Sequence, residues 1–441
     1  MTDQVRIDQR QLYRKITLRL LPFLFICMVM AALDRFNIGY AQLQMKQDLD
    51  FSDLLYGIGA SLFFVAYFIF EVPSNLLMER VGARKIFVRI MFCWGLASSA
   101  TMFVTTPAQF YFVRFLLGFF EAGFMPGVML YFTYWYPNSQ RGRIAGYFLS
   151  AVIVAGIVGG PVSGYILSAM NGVAGLKGWQ WMFLLEGLPS SFLGIAAWFF
   201  LVDKPAQAAW LTDAEKAVVA GNISADRKVR TGIAHERLSQ VFLDPRVWLL
   251  AFVYFTLLSV GYALNFWLPS LIKNLGVSDI GKIGLLSAIP YMAGLVAMLW
   301  YGRHSDNSAE RRWHYCVAVC GAAVALVLST MVQNELVPAM ILLTLTGAFI
   351  SGALPVFWAI PPAYLSENGA AAGLALVTCV GQLGGIFAGA VTGWIIDTTG
   401  SAAYSIRAMA ILLVMAGVLM VAGLPARLLH ERKSVPMQAF R

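Results

Sequence analysis

The chain has 441 residues, of which 59% are hydrophobic and only 12% charged, and it carries a formal net charge of +9. Soluble domains carry about 25% charged residues, so an ordinary globular protein is excluded, and apolar runs of about 20 residues, each long enough to cross a bilayer core, recur along nearly the whole chain. The positive balance does not point to nucleic acid, because Lys and Arg fall in short clusters between the apolar runs.

The opening segment, MTDQVRIDQRQLYRKITLRL, is polar and basic. No small-residue cleavage site follows its first apolar stretch, so the first helix is expected to be retained. Hydrophobic periodicity and polar breaks predict helices near 18–40, 53–78, 84–104, 107–135, 143–170 and 180–202. A gap at 203–245 follows, with 12 charged residues in 43 positions. That density predicts a surface connector, and Thr212-Asp213-Ala214-Glu215 within it reads as a capping box opening a short helix. Six more apolar helices are predicted near 246–271, 279–302, 313–333, 336–362, 369–396 and 402–428. The expected fold class is therefore all-α integral membrane, with twelve transmembrane helices in two pseudo-symmetric six-helix bundles. The expected parts are an N-terminal half at 1–202, a cytoplasmic linker at 203–245 and a C-terminal half at 246–441.

Charge in the loops predicts the topology. Of the 32 Lys and Arg residues, 25 fall in the termini and the alternate loops that share one side; five (Lys46, Lys177, Lys273, Lys282, Arg407) fall in the opposite loops. The positive-inside asymmetry then places both termini in the cytoplasm. The five cysteines all lie in apolar stretches, which argues against a disulfide framework. Cys316 and Cys320 lie one turn apart and close to His314, but the stretch offers too few further ligands for a metal cage.

Laid over one another at an offset of about 229, the halves match Gly118, Gly123 and Pro126 to Gly347, Gly352 and Pro355. Glycine lets helix backbones approach closely, and parallel six-helix repeats are a pattern of membrane transporters. Two loops strengthen the repeat. EVPSNLLMERVGARK contains Glu79, Arg84 and Lys85, and GRHSDNSAERR contains Asp306 and Arg311. Each places an acid ahead of a basic pair on a tight turn. The alternatives are positive-inside turn chemistry and a cytoplasmic gate of carboxylates paired with arginines and helix ends.

An ionised side chain at the bilayer centre costs about 2.5–3.5 kcal/mol on insertion scales, so those retained there face a bundle interior or a wet cavity. Asp34 and Arg35 sit deep in the first helix, Arg114 and Glu121 within the fourth, and Glu186 nearer the outer end of the sixth. Arg114 and Glu121 are seven residues apart, hence on one face about 10 Å apart along the axis, and all four are expected to meet in one central cavity. One reading has Asp34 pair with Arg114, or Glu121 with Arg35, only to neutralise buried charge. The other gives the arginines to an anion, since a guanidinium stays protonated and matches a carboxylate, and gives the acids to protons. Glu121, the deeper acid, is the expected proton carrier. The second half has no matching charges in its membrane core; its polar candidates are Tyr262 and Asn265 in the seventh helix, Trp358 in the tenth, and Thr378 and Gln382 in the eleventh. Tyr67, four residues before Glu71, is a candidate of the same kind. The alternative for each is helix packing, which polar side chains also serve.

The loop pair, the twelve-helix plan and the central linker resemble the major facilitator superfamily. Within it, LDRFNIGYA, FEVPSN, RFLLGFFEAGFMPG, YWYP, GWQWMFLLEGLP and FWAIPPAYL resemble the anion:cation symporter family, which includes permeases for phthalate, tartrate, hydroxyphenylacetate and sugar acids. The resemblance covers essentially the full chain. It implies anion recognition or gating by Arg35 and Arg114 and proton coupling by Asp34 and Glu121. Members often carry asparagine where Thr378 and Gln382 stand, so Gln382 is expected as a longer-reaching donor.

The expected protein is thus a monomeric, proton-coupled symporter of the bacterial inner membrane. It imports a small organic anion (an aromatic carboxylate, dicarboxylate or sugar acid) by alternating access, with the proton as coupling ion, no cofactor or metal, and no nucleic-acid partner. The expected substrate contacts are Arg35, Arg114, Tyr67, Trp358, Gln382, Thr378 and Asn265. Efflux of an anionic metabolite by proton antiport is the alternative within transport; a passive channel or a transporter-like receptor is the alternative outside it. No nucleophile with a base, metal cluster or phosphate loop suggests an enzyme.

Overall fold

The computed structural model describes residues 8–231, 242–308, 310–332, 334–365 and 370–424. The remainder of the expected linker (232–241) and the end of the last expected helix (425–428) lie outside the described residues. Among the described residues twelve helices are long and apolar enough to cross a membrane. In chain order with the linker helix they are α1 (Gln9–Leu49), α2 (Asp53–Val81), α3 (Ala83–Phe103), α4 (Pro107–Trp135), α5 (Ser139–Ala169), α6 (Gly178–Phe200), α7 of the linker (Asp213–Thr231), α8 (Pro245–Asn274), α9 (Ile280–Ser305), α10 (Arg312–Ser329), α11 (Leu336–Pro362), α12 (Gly373–Thr399) and α13 (Ala402–Gly423).

Helix α1 starts nine residues before its expected boundary because the polar segment is itself helical. The Asp8 carboxylate accepts the amide of Arg10 at its start, and Asp50, with φ 54°, closes its end. An acidic N-cap supplies an acceptor to the orphan amides and complements the helix dipole. In the linker, Thr212 Oγ1 accepts the amide of Glu215 at 3.2 Å, and Glu215 Oε2 accepts that of Thr212 at 2.8 Å, closing the capping box.

The residues form two compact units. Of the described residues, those within 1–51, 58–234 and 279–285 make the first and those within 52–57, 235–278 and 286–441 the second. Within the first unit α3 packs along α6, and α1 lies against α5 and α6. Gly95 and Gly187 set the α3–α6 distance: a Cβ on Gly95 would lie 2.4 Å from Ser191 Oγ, and one on Gly187 would lie 2.8 Å from the Ser99 amide nitrogen. The turn from α2 to α3 requires glycine, because Gly82 has φ +103° and faces the Asp203 carboxylate. Within the second unit α10 packs on α11 and α13, and α8 on α12. Residues 52–57 belong to this unit as well, and both oxygens of Asp397 accept amides there, from Asp53 at 3.0 Å and Leu54 at 2.9 Å.

One span expected as a continuous helix is broken, and another keeps helical dihedrals through a locally irregular stretch. Helix α4 consists of Pro107–Glu121 and Phe124–Trp135, separated by extended Ala122 and by Gly123 at φ +89°. A left-handed residue cannot continue an α-helix, and a Cβ on Gly123 would also lie 2.6 Å from Ser74 Oγ. Helix α12 runs to Gln382, then passes through a short turn and a π-helical segment at Phe387–Val391 before resuming at Thr392. Backbone groups freed at such breaks are tolerated at membrane depth only where protein or a wet cavity satisfies them.

Candidate functional site

In the first unit, Gly118 rests on the backbone of α2: a Cβ there would lie 2.1 Å from the Phe63 carbonyl oxygen. This contact brings Arg114, one turn earlier on α4, over the Phe63 ring at 5.3 Å. Arg35 of α1 approaches the same ring at 5.4 Å and that of Tyr67 at 5.0 Å. Two guanidiniums thus share one aromatic ring, whose quadrupole favours cations over its faces. Arg35 also meets Glu121, the last residue before the break in α4, with Nε and a terminal nitrogen both 2.6 Å from Oε1. The other Glu121 oxygen is buried and has no hydrogen-bond partner among the described residues. The result is a charge-assisted ion pair with spare acceptor capacity, held on a discontinuous helix.

Asp34 lies elsewhere in the unit. Its carboxylate accepts from Trp94 Nε1 at 2.5 Å, Ser98 Oγ at 2.7 Å, Ser190 Oγ at 3.3 Å and Asn37 Nδ2 at 3.4 Å. The expectation that Asp34 meets the two arginines and Glu121 in one cavity is therefore corrected. Consecutive helical residues point about 100° apart, so Arg35 turns toward α2 and α4 while Asp34 turns toward α3 and α6. The close α3–α6 crossing at Gly95 and Gly187 is what lets donors from both helices converge on Asp34. Near this cluster, Glu186 accepts from Ser163 Oγ at 2.7 Å, and its second oxygen is buried without a partner among the described residues. Sequence reasoning flagged Glu186 as an acid inside an apolar helix but gave it no role.

In the second unit, Gln382 stands just before the irregular stretch of α12 and accepts from the Tyr262 hydroxyl at 2.9 Å. Asn265 accepts from Tyr291. Trp358 stands edge-on to Tyr254 at 5.0 Å, and Thr378 donates to its own helix, to the Leu374 carbonyl, at 2.8 Å. Of these residues, Thr378 is tied back to the backbone, while Gln382 and Asn265 engage phenol hydroxyls.

In the first of the two expected gate loops a carboxylate from elsewhere in the chain is engaged. The carboxylate that caps α3 is Asp203, which accepts the Arg84 amide at 2.7 Å, and the Arg84 guanidinium lies over Trp198 at 4.3 Å. Glu79 and Lys85 are exposed, Arg311 is half-buried at the start of α10, and the Asp306 side chain lies outside the described residues. Asp203 was missed because it stands about 120 residues from the loop it caps. Among the described residues no group of three or more His, Cys, Asp or Glu side chains is placed to hold a metal.

The sequence pattern of the Major Facilitator Superfamily matches residues 24–379. The chain is 44% identical over 422 residues to the "Putative metabolite transport protein NicT" of Pseudomonas putida, covering 96% of both chains. It is 41% identical to a "Putative tartrate transporter" of Agrobacterium vitis, covering 93% of this chain and 94% of that one. A "Quinolone resistance transporter" of Acinetobacter baumannii is 37% identical, with 92% and 93% covered. Among solved structures, the D-xylose-proton symporter superposes with a TM-score of 0.73 at 17% identity, covering 92% of this chain and 98% of that one. The family and these relatives are membrane transporters, not enzymes, and with its twelve apolar helices the chain is a multi-pass membrane protein.

Proposed function

The chain belongs to the Major Facilitator Superfamily, and from that premise we propose that it is a proton-coupled symporter importing a small organic anion by alternating access. The observation that carries this reading is the Arg35–Glu121 pair beside Arg114 on one aromatic ring. A substrate carboxylate and Glu121 compete for the same guanidinium. When the anion takes Arg35, Glu121 needs another positive charge, and a proton is the one that reaches a buried carboxylate. Anion and proton then enter as a pair. Tyr67 and Phe63 offer ring faces to the carbon part of the substrate, and Gln382, Asn265 and Trp358 select among anions. Asp34 is a second proton site, held apart from the anion. The relative named for tartrate transport supports a carboxylate substrate. The topology that goes with this reading has both termini in the cytoplasm of a bacterium and the chain acting as a monomer in the inner membrane.

Ligand-induced thermal stabilisation of the purified protein against a panel of organic acids, followed by proton-gradient-driven uptake into liposomes, tests the proposal. Arg35→Ala and Arg114→Ala are expected to abolish stabilisation by the anion, and Glu121→Gln to bind it without concentrating it. Undiminished stabilisation in either arginine variant, or accumulation by Glu121→Gln equal to wild type, defeats the assignment. The relative named for quinolone resistance supports a second reading, export by proton antiport. Liposomes loaded with quinolone and given the opposite gradient separate the two.

A further inference from the structure

The first turns of α1 carry Gln11, Arg14, Lys15, Leu18 and Arg19 at spacings i, i+3, i+4, i+7 and i+8. That pattern lies on one helix face. With Trp210 of the linker these residues line a groove of about 600 Å³ in the first unit. Glu215 of the linker engages Lys15 at 2.8 Å and the amide of Thr212. Arg14 and Arg19 are exposed, and the Arg19 guanidinium lies 5.5 Å from the centre of the Phe200 ring. The Trp210 indole N–H is buried and has no acceptor among the described residues. Beside and beyond Arg19 the surface turns apolar: Leu18 is 64% exposed, Ile26 51%, and Phe199 of α6, beside Phe200, 74%. No charged residue follows Arg19 until Asp34, so the basic part of the face ends where the hydrocarbon-spanning part begins.

We propose that this groove is a binding site for an anionic glycerophospholipid, with Arg14 and Arg19 on the phosphodiester and the acyl chains along Leu18, Ile26 and Phe199. The ligand's chemistry follows from the face itself, cationic at headgroup level and apolar directly below. A guanidinium matches phosphate oxygens in a planar fork, and its aliphatic stem lies along apolar surface while the head stays in the polar layer. A free phosphate satisfies the cationic part alone and leaves the apolar strip unused. Lys15 serves mainly to dock the linker, which forms the opposite wall. The proposal is independent of substrate and coupling ion.

The test uses full-length protein in nanodiscs of phosphatidylcholine alone, of phosphatidylcholine with phosphatidylglycerol, and of phosphatidylcholine with inorganic phosphate in the buffer. Retained lipid is counted by native mass spectrometry, and the unfolding midpoint is measured in parallel. A basic side chain at an anionic surface is worth about fivefold in affinity. Wild type is therefore expected to retain phosphatidylglycerol over phosphatidylcholine by roughly 25-fold for two such side chains, with a raised midpoint. Arg14→Gln with Arg19→Gln is expected to lose that preference, while Arg303→Gln, an exposed charge in the second unit, keeps it. Equal preference in wild type and the double variant overturns the proposal. So does an equal stabilisation by inorganic phosphate, which makes the groove a small-anion site.

Discussion

Glu121 is fully buried and the Arg35 side chain only 11% exposed, so their 2.6 Å contact is an ion pair with little water to replace either partner. Removing one member of such a pair costs about 3–5 kcal/mol, because the other charge remains buried. Arg35→Met leaves Glu121 without its guanidinium and is expected near the upper end of that range. Glu121→Gln leaves Arg35 with the rings of Phe63 and Tyr67, each worth about 0.5–2 kcal/mol as a cation–π contact, and with its slight exposure, so a loss of about 2–3 kcal/mol is expected. The double variant removes both charges and keeps most of the volume, and replacement of a whole buried pair is often close to neutral. A coupling energy of about 7 kcal/mol therefore separates the near-neutral double variant from the sum of the singles. Equilibrium unfolding in detergent at pH 7 measures it without any substrate. Additivity of the two singles within about 0.5 kcal/mol would refute the reasoning, since it would mean that the two groups do not depend on each other.

Two further outcomes follow from backbone contacts and from the linker. Gly118→Ala places a methyl 2.1 Å from the Phe63 carbonyl oxygen, where ordinary contact begins near 3.4 Å. No side-chain rotation relieves a clash with backbone, so α4 must move off α2 by more than an ångström. The expected cost is about 1–3 kcal/mol of stability and a weakening of anion binding by about 10²; unchanged binding in a thermal-shift titration contradicts the role given to this contact. At the linker, hydrogen bonds from Lys15 hold the Glu215 carboxyl below its ordinary value of 4.5. A depressed acid contributes its stability in full above the unfolded value and loses it as pH falls through the folded one. Docking of α7 is therefore expected to be intact at pH 7 and to loosen below about 4.5. Hydrogen exchange of the 213–225 amides, corrected for intrinsic rates, reads this, and Lys15→Met should weaken the pH dependence to the part that the Thr212 amide supplies.

The spans were legible because bilayer thickness imposes a length and a composition that few other constraints imitate. The site was legible in part. Charges inside apolar runs flagged Asp34, Arg35, Arg114 and Glu121, and the Arg35–Glu121 pairing was one of the two considered. The place of Asp34 was not legible, because its donors Trp94, Ser98 and Ser190 come from helices 60 and 156 residues away. A tryptophan in an apolar run also resembles an interface anchor. The break in α4 escaped because hydropathy is continuous across Glu121-Ala122-Gly123. The signal was local: a glycine followed three residues later by Pro126, which has no amide to donate and suits the first turn of a new helix.

The Arg35, Glu121 and Arg114 cluster also fixes what a voltage can do. Empty, the three side chains sum to one positive charge. On the proposed exchange, a monoanion arrives and Glu121 gains one proton, and the sum is again one positive charge. The loaded and empty sites then look alike to the membrane field, and turnover passes no current. A dianion carried with a single proton moves one net negative charge inward against an inside-negative potential, an opposition of about 2.3 kcal/mol per 100 mV. Concentrating a dianion at this site therefore calls for another proton, and Asp34, on another face of the same helix and proposed above as a second proton site, is the acid that this reading assigns to it.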